Sequence, residues 1–195
     1  MYLLQYDRQS KYKYAYKDAS FGNYERSVCP ECDRAVVLPR FMSERHQLIL
    51  EGGKVYPDCL QFTGVGKQMF LFSDKSLDIF LQNEISGIGC ISEVDIYNVA
   101  FQSLADAPKY YSADILGKIE LNLFGMNLKR KRFCAQCGQF EWNRNRIEPL
   151  RVDENSWDGA DVCRVTSIPG YIVCSSKFVD VINRNGLTGF SFLSL

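Results

Sequence analysis

Four of the eight cysteines stand in two CXXC pairs, CPEC at 29–32 and CAQC at 134–137. Two residues between cysteines let a tight turn aim both sulfurs at one point, and two such pairs supply the four thiolates that a tetrahedral zinc ion binds at ~2.3 Å. Four thiolates close the coordination shell, whereas a catalytic zinc keeps one position open. We therefore predict one structural zinc site, and its predicted ligands are Cys29, Cys32, Cys134 and Cys137.

The separation of the two pairs leaves other interpretations open, because it is wider than in compact zinc ribbons. A redox pair stands at the start of a helix, where the helix N-terminus lowers the thiol pKa, but charged residues precede both pairs here. The thiols could also be packed in the interior without metal. The remaining cysteines stand singly near apolar residues, and we predict that all of them are small core residues; they are Cys59, Cys90, Cys163 and Cys174.

Residues 70–90 resemble residues 172–192, which indicates an internal repeat. The two segments share five identities at an offset of 102, namely Ser73/Ser175, Lys75/Lys177, Asp78/Asp180, Asn83/Asn185 and Gly87/Gly189. In each segment an apolar run suits a buried strand, and the serine after it can cap a helix. Apolar residues then recur at helical spacing over 75–83 and 177–185. The pattern predicts a strand, a helix and a strand in each half of the chain.

The motifs occur in the same order in both halves, which favours an ancient duplication with an approximate twofold axis. The first half, 1–100, contains the CXXC pair at 29–32 and the strand, helix and strand at 70–91. The second half, 101–195, contains a connector, the pair at 134–137 and the strand, helix and strand at 171–193.

The connector combines two patterns. Residues 103–114 have mixed composition and a proline, so we predict a turn or loop between the halves. In KIELNLF at 118–124 apolar and polar residues alternate, which predicts a half-buried strand. The predicted fold is α+β, with two pseudo-repeated strand-helix-strand halves packed as one compact unit and joined by the four-cysteine zinc site.

The composition argues against several classes of function. The 23 basic and 23 acidic side chains balance, so the whole molecule has no field that attracts nucleic acid or an anionic membrane. No stretch approaches the ~20 apolar residues of a membrane span, and the N-terminus lacks a signal-peptide core. We therefore expect a cytoplasmic protein with reduced thiols. His46 is the single histidine and nothing near it resembles a nucleophile elbow, so we expect no enzymatic activity.

Two neighbouring segments could bind a partner. From 129 to 151, seven basic and two acidic residues are interleaved with Phe133, Phe140 and Trp142, a pattern that could stack bases and contact phosphates. The loop VDENSWDGAD at 152–161 is acidic and contains a tryptophan, and aromatic anchors often dominate protein interfaces. The candidate partner-binding residues in this loop are Asp153, Glu154, Trp157, Asp158 and Asp161. Alternatively, Trp157 packs inward beside the second CXXC pair.

The two CXXC pairs, together with the terminal sequence YIVCSSKFVDVINRNGLTGFSF, resemble the bacterial double-CXXCG motif family and the related immunity-protein families of polymorphic toxin systems. The resemblance spans residues 24–193. It implies a cytoplasmic protein that binds and neutralises a toxin encoded beside it, without catalysis, and whose two motifs are the CXXC pairs. Asp33 stands where the first motif has glycine. The alternative is a zinc-containing nucleic-acid-binding regulator that uses the basic stretch 129–151.

Overall fold

The structure of the protein, a computed structural model, describes residues 1–16, 27–32, 35–36, 47–63, 70–99, 104–124, 126, 130–136, 140–142, 150–168 and 171–195. The strands are β1 (Tyr2–Tyr6), β2 (Lys13–Tyr16), β3 (Ser27–Val28), β4 (Ala35–Val36), β5 (Gln47–Gly52), β6 (Cys59–Thr63), β7 (Phe70–Ser73), β8 (Ile88–Glu93), β9 (Asp95–Val99), β10 (Tyr110–Ile115), β11 (Gly117–Leu121), β12 (Arg130–Phe133), β13 (Phe140–Trp142), β14 (Val152–Asp153), β15 (Val162–Val165), β16 (Ile172–Cys174) and β17 (Phe190–Ser194). The α-helices are α1 (Asp74–Gln82) and α2 (Ser176–Arg184), and 3-10 turns occupy Leu104–Asp106 and Glu154–Ser156. The predicted α+β class is confirmed, with strands predominating. Neither helix in these ranges is long and apolar enough to cross a membrane.

The strand, helix and strand predicted in each half are present as β7, α1, β8 and as β16, α2, β17. The side-chain oxygens of Ser73 and Ser175 each accept a hydrogen bond from the backbone N–H three residues later, so both serines cap their helices. Asn83 and Asn185 end the helices, and each side-chain amide donates to the carbonyl oxygen four residues earlier. Both helices start one residue before the predicted position, because the caps allow the next residue to enter the first turn.

Most described strands belong to two sheets. The first sheet has the order β8-β10-β7-β6-β2-β5-β9, and the second sheet has the order β14-β11-β15-β16-β1-β17. Read from β5 to β8, six strands of the first sheet show the same sequence of parallel and antiparallel pairings as the six strands of the second. Two smaller sheets are the hairpins β3-β4 and β12-β13, which carry the CXXC pairs.

Each of the two large sheets takes one strand from the other half of the chain. β1 lies between β16 and β17 in the second sheet, and β10 lies between β7 and β8 in the first. The turn or loop predicted within 103–114 is present at residues 107–109, whereas residues 110–114 of that segment belong to β10. Pairing with β7 and β8 on both sides, with Tyr111 opposite Phe72 and Glu93, makes this segment extended. The boundary between residues 100 and 101 consequently does not separate the two sheets.

The main core is built jointly by both halves. Phe72 of β7 and Phe80 of α1 pack with Phe178 of α2 and Phe190 of β17. The ring centroids of Phe80 and Phe178 are 5.3 Å apart, and those of Phe72 and Phe190 are 6.1 Å apart. Aromatic pairs at these separations add to the burial of apolar surface. The halves are thus packed through one aromatic core.

Two glycines allow a close backbone approach at the ends of this core. Gly87 and Gly189 have φ angles of +90° and +84°. A Cβ on Gly87 would lie 2.1 Å from the carbonyl oxygen of Val162, and one on Gly189 would lie 2.2 Å from that of Cys59. Both positions therefore exclude a side chain on steric grounds as well as by their φ angles.

Gly189→Ala is expected to lower the free energy of unfolding by about 2–4 kcal/mol, since it adds left-handed strain and a clash with backbone. Chemical denaturation measures this change. Gly186→Ala is the matched control, because Gly186 also has a positive φ of +58° but nothing lies within 4 Å of an added Cβ. The control should lose only ~1 kcal/mol. Equal losses in the two variants would show that the close contact at Gly189 has no energetic role.

Candidate metal centre and candidate binding surface

Each CXXC pair is positioned by a short hairpin. Cys29 comes directly after β3 in the first cysteine hairpin, β3-β4, and Cys134 comes directly after β12 in the second cysteine hairpin, β12-β13. Residues 30–32 and 135–136 form turns. A redox CXXC pair commonly stands at a helix N-terminus, whereas Cys29 and Cys134 are each followed by a hairpin turn.

Three of the four predicted zinc ligands converge. The Sγ atoms of Cys29, Cys32 and Cys134 all lie within 4.8 Å of one another. Those of Cys29 and Cys134 are 3.7 Å apart, although the residues are 105 positions apart in the chain. Zn–S bonds of ~2.3 Å in a tetrahedron hold their sulfurs about 3.8 Å apart. This group could therefore hold a metal ion. Cys137 lies outside the described residues.

The Cys29 sulfur lies in an environment that favours the thiolate. The backbone N–H of Glu31 donates to it and lowers its pKa to about 7, against the opposing effect of burial and with further hydrogen bonds from Cys32 and Cys134. The Glu31 carboxylate in turn accepts a hydrogen bond from Cys134 Sγ at 3.3 Å. Metals bind cysteine as the thiolate, so a lowered pKa favours metal binding at neutral pH.

Three other cysteines are core residues, as predicted. Cys59, Cys163 and Cys174 are buried. Burial raises the pKa of Cys163 and of Cys174 to about 12, and it also raises the pKa of Cys59 well above the ordinary value. The prediction is wrong for Cys90, which is exposed. It lies on β8, an edge strand of the first sheet, where neighbouring apolar residues do not ensure burial.

The acidic loop at 152–161 is held by hydrogen bonds to its surroundings. The Asp158 carboxylate accepts from the backbone N–H of Lys118 at 2.8 Å, and the indole N–H of Trp157 donates to the carbonyl oxygen of Ala160 at 2.8 Å. Trp157 is 38% exposed, so it does not pack inward as a core residue. Glu154 and Asp158 are also exposed, whereas Asp153 is half-buried.

Asp161 differs from the rest of the loop, because it is buried. Its carboxylate accepts from the backbone N–H and the hydroxyl of Ser86, both at 3.0 Å, and from the Ser175 hydroxyl at 2.8 Å. Lys177 Nζ lies 3.3 Å from it. Asp161 therefore joins the two halves inside the fold, and we leave it out of the candidate binding surface.

Asp58, in the first half of the chain, makes the contacts equivalent to those of Asp161 in the second half. Its carboxylate accepts from the backbone N–H and hydroxyl of Thr188 at 2.8 and 2.9 Å and from the Ser73 hydroxyl at 3.2 Å, and Lys75 Nζ lies 3.6 Å away. In the sequence, Asp58 directly precedes β6 in YPDC, and Asp161 directly precedes β15 in GADVC. This shared position is the sequence signal for their equivalent contacts. Sequence reasoning alone cannot show that these carboxylates face inward.

The basic stretch at 129–151 is described only in part. Arg130 lies opposite Trp142 in the second cysteine hairpin, and Phe133 is 54% exposed. His46 and Asp33 lie outside the described residues.

No family model matches this chain, and no curated protein matches it.

Proposed function

We propose that this protein is a cytoplasmic, zinc-stabilised immunity protein that neutralises a cognate bacterial toxin by covering it, without catalysis. The observation that carries this proposal is the acidic loop, in which the exposed Trp157 stands beside the exposed carboxylates Glu154 and Asp158. The Asp158 carboxylate and the Trp157 indole are already held by hydrogen bonds within the protein. A preformed surface loses little conformational freedom on binding, which favours tight protein recognition.

The metal in this proposal is zinc, held by Cys29, Cys32, Cys134 and Cys137. The convergence of the first three sulfurs supports it, because a soft thiolate set of this kind selects zinc over harder divalent ions. One pair comes from each half of the chain. The ion would therefore fasten the two halves together and hold the binding surface in shape.

We also propose that the chain arose by duplication and that its halves are related by an approximate twofold axis. The pairing pattern that six strands of the first sheet share with the second sheet, and the equivalent contacts of Asp58 and Asp161, support this origin. In such a molecule β1 and β10 are equivalent strands, and each completes the sheet of the other half. This is the arrangement of a strand-exchanged dimer whose subunits have been joined into one chain.

The immunity role is tested with the polypeptide encoded next to this gene. We expect the two proteins to co-purify as a complex and the present chain to restore growth to cells that express its neighbour. Trp157→Ala should weaken the complex at least about tenfold, since truncation of a central aromatic anchor costs ~2 kcal/mol or more. Calorimetry on the purified proteins measures this.

Leu81→Ala is the control for that substitution, because Leu81 is an exposed apolar residue that belongs to α1 and not to the acidic loop. Its affinity should equal that of the wild type. A neighbour that is no toxin, combined with a shift of a nucleic-acid probe by the pure protein at physiological salt, would instead favour the regulator that uses the basic stretch 129–151.

A further inference from the structure

An open groove of about 440 Å³ lies between the acidic loop, the turn before β8 and the connection from β10 to β11. It is lined by residues 86–87, 116–117 and 158–160. The backbone N–H of Leu116 donates to the carbonyl oxygen of Gly87 at 2.8 Å, and that of Lys118 donates to the Asp158 carboxylate at 2.8 Å. These hydrogen bonds join segments 86–87 and 116–117 to each other and tie segment 158–160 to the residue after 116–117, so the groove is preformed.

The corresponding place in the other half has different chemistry. A Cβ on Gly87 would lie 3.1 Å from Ala160 Cβ, and one on Gly189 would lie 2.8 Å from Pro57 Cβ. Ala160 and Pro57 therefore occupy equivalent positions in the two halves. The paired triplets are Val55, Tyr56 and Pro57 in the first half and Asp158, Gly159 and Ala160 in the second. The second triplet lacks the ring and the proline and adds a carboxylate. Since both halves make the close glycine contact, folding does not require this change.

The groove combines an apolar wall with one carboxylate. Leu116 is 53% exposed, and Asp158 is exposed on the opposite segment. Desolvation acts to raise the pKa of Asp158, but backbone hydrogen bonds from Ala160 and Lys118 lower it overall, so the group is ionised at neutral pH. An apolar surface next to a carboxylate matches an arginine side chain, whose methylene stem packs on apolar groups while its guanidinium binds the carboxylate through two N–H groups.

We propose that this groove receives an arginine side chain from a protein partner, with the guanidinium on Asp158 and the stem against Leu116. This inference rests on the proposed function, because it names the chemistry of the toxin surface that the acidic loop would cover. Charge complementarity selects this occupant, since Glu154 adds a second exposed carboxylate to the same loop. Arginine is also among the residues that contribute most to protein interfaces.

The test uses the full chain and a small probe, N-acetyl-L-argininamide. Its titration, followed by NMR of the backbone amides of Gly87, Gly117 and Gly159, should give saturable shifts with a dissociation constant on the order of 1–10 mM. N-acetyl-L-citrullinamide has nearly the same shape without the charge, and it should leave these resonances in place. Equal shifts with both probes, or no saturable shift with the arginine probe, would overturn the inference.

Two substitutions locate the contact. Asp158→Asn should weaken binding of the arginine probe at least about tenfold, and Leu116→Lys should abolish it by placing a cation at the wall. Asp180→Asn, which removes an exposed carboxylate on α2, is the matched control and should bind like the wild type. Thermal unfolding checks that each variant is folded. Wild-type affinity in a folded Asp158→Asn variant would also overturn the inference.

The outcome is separable from that of the proposed function. If the arginine probe binds in the groove but the chain does not neutralise the neighbouring gene product, the immunity role fails and the groove remains a site for another basic partner. If the chain neutralises that product and the probe does not bind, the groove assignment alone fails.

Discussion

Replacing Cys134 with serine is expected to release the metal and to lower the free energy of unfolding by several kcal/mol. A structural zinc can contribute on the order of 10 kcal/mol to folding, because the unfolded chain does not hold its thiolates together. A serine hydroxyl is a poor substitute for the thiolate that zinc prefers. Elemental analysis should find ~1 zinc per wild-type chain and much less in the variant, whose melting temperature should fall.

Two further substitutions make this result specific. Cys90→Ser removes an exposed thiol outside the group of three converging cysteines and should change neither metal content nor stability. Cys137→Ser should match Cys134→Ser if Cys137 is the fourth ligand. A wild-type chain that contains no metal and is as stable as the Cys134→Ser variant would contradict the zinc site.

Asp161→Ala should lower the free energy of unfolding by about 2–3 kcal/mol, since it removes a buried hydrogen-bonded carboxylate and leaves the buried Ser175 hydroxyl without its acceptor. The other groups that lose their acceptor are exposed, namely the N–H and hydroxyl of Ser86 and the ammonium group of Lys177. Urea denaturation measures the loss. Asp78→Ala, at an exposed position of α1, is the control and should stay within ~0.5 kcal/mol of the wild type.

The effect of Asp161→Ala should also depend on pH. Burial acts to raise the pKa of Asp161, but hydrogen bonds from Ser86, Ser175 and Lys177 lower it below its ordinary value. A carboxylate with a lowered folded-state pKa stabilises the protein above the unfolded-state pKa of about 3.9, and this contribution is lost as the pH falls through the folded-state pKa. The difference between wild type and variant should therefore be full at pH 7 and shrink below about pH 4. A difference independent of pH would rule out an ionised Asp161 as its source.

The two strand-helix-strand segments and the candidate metal ligands within each cysteine pair could be predicted from the sequence. The reason is that these features depend on neighbours in the chain. The Ser73 and Ser175 hydroxyls cap helices through backbone groups three residues away, and a CXXC pair needs only its own turn to bring two sulfurs together. Burial was less predictable, as the exposed Cys90 shows, because it depends on whether a strand lies inside a sheet or at its edge.

The pairing of the strands and the inward direction of particular carboxylates could not be predicted from the sequence, because both depend on contacts between distant parts of the chain. Asp161 reaches Ser86 across 75 positions of the chain, and Asp58 reaches Thr188 across 130. β10 lies at the end of a segment whose proline and mixed composition predict a turn or loop, and it is a strand because β7 and β8 flank it. Partner choice and register in a sheet are set by the packing of both faces, which local patterns do not encode. The same packing brings Cys29 to Cys134 and opens the groove beside Asp158.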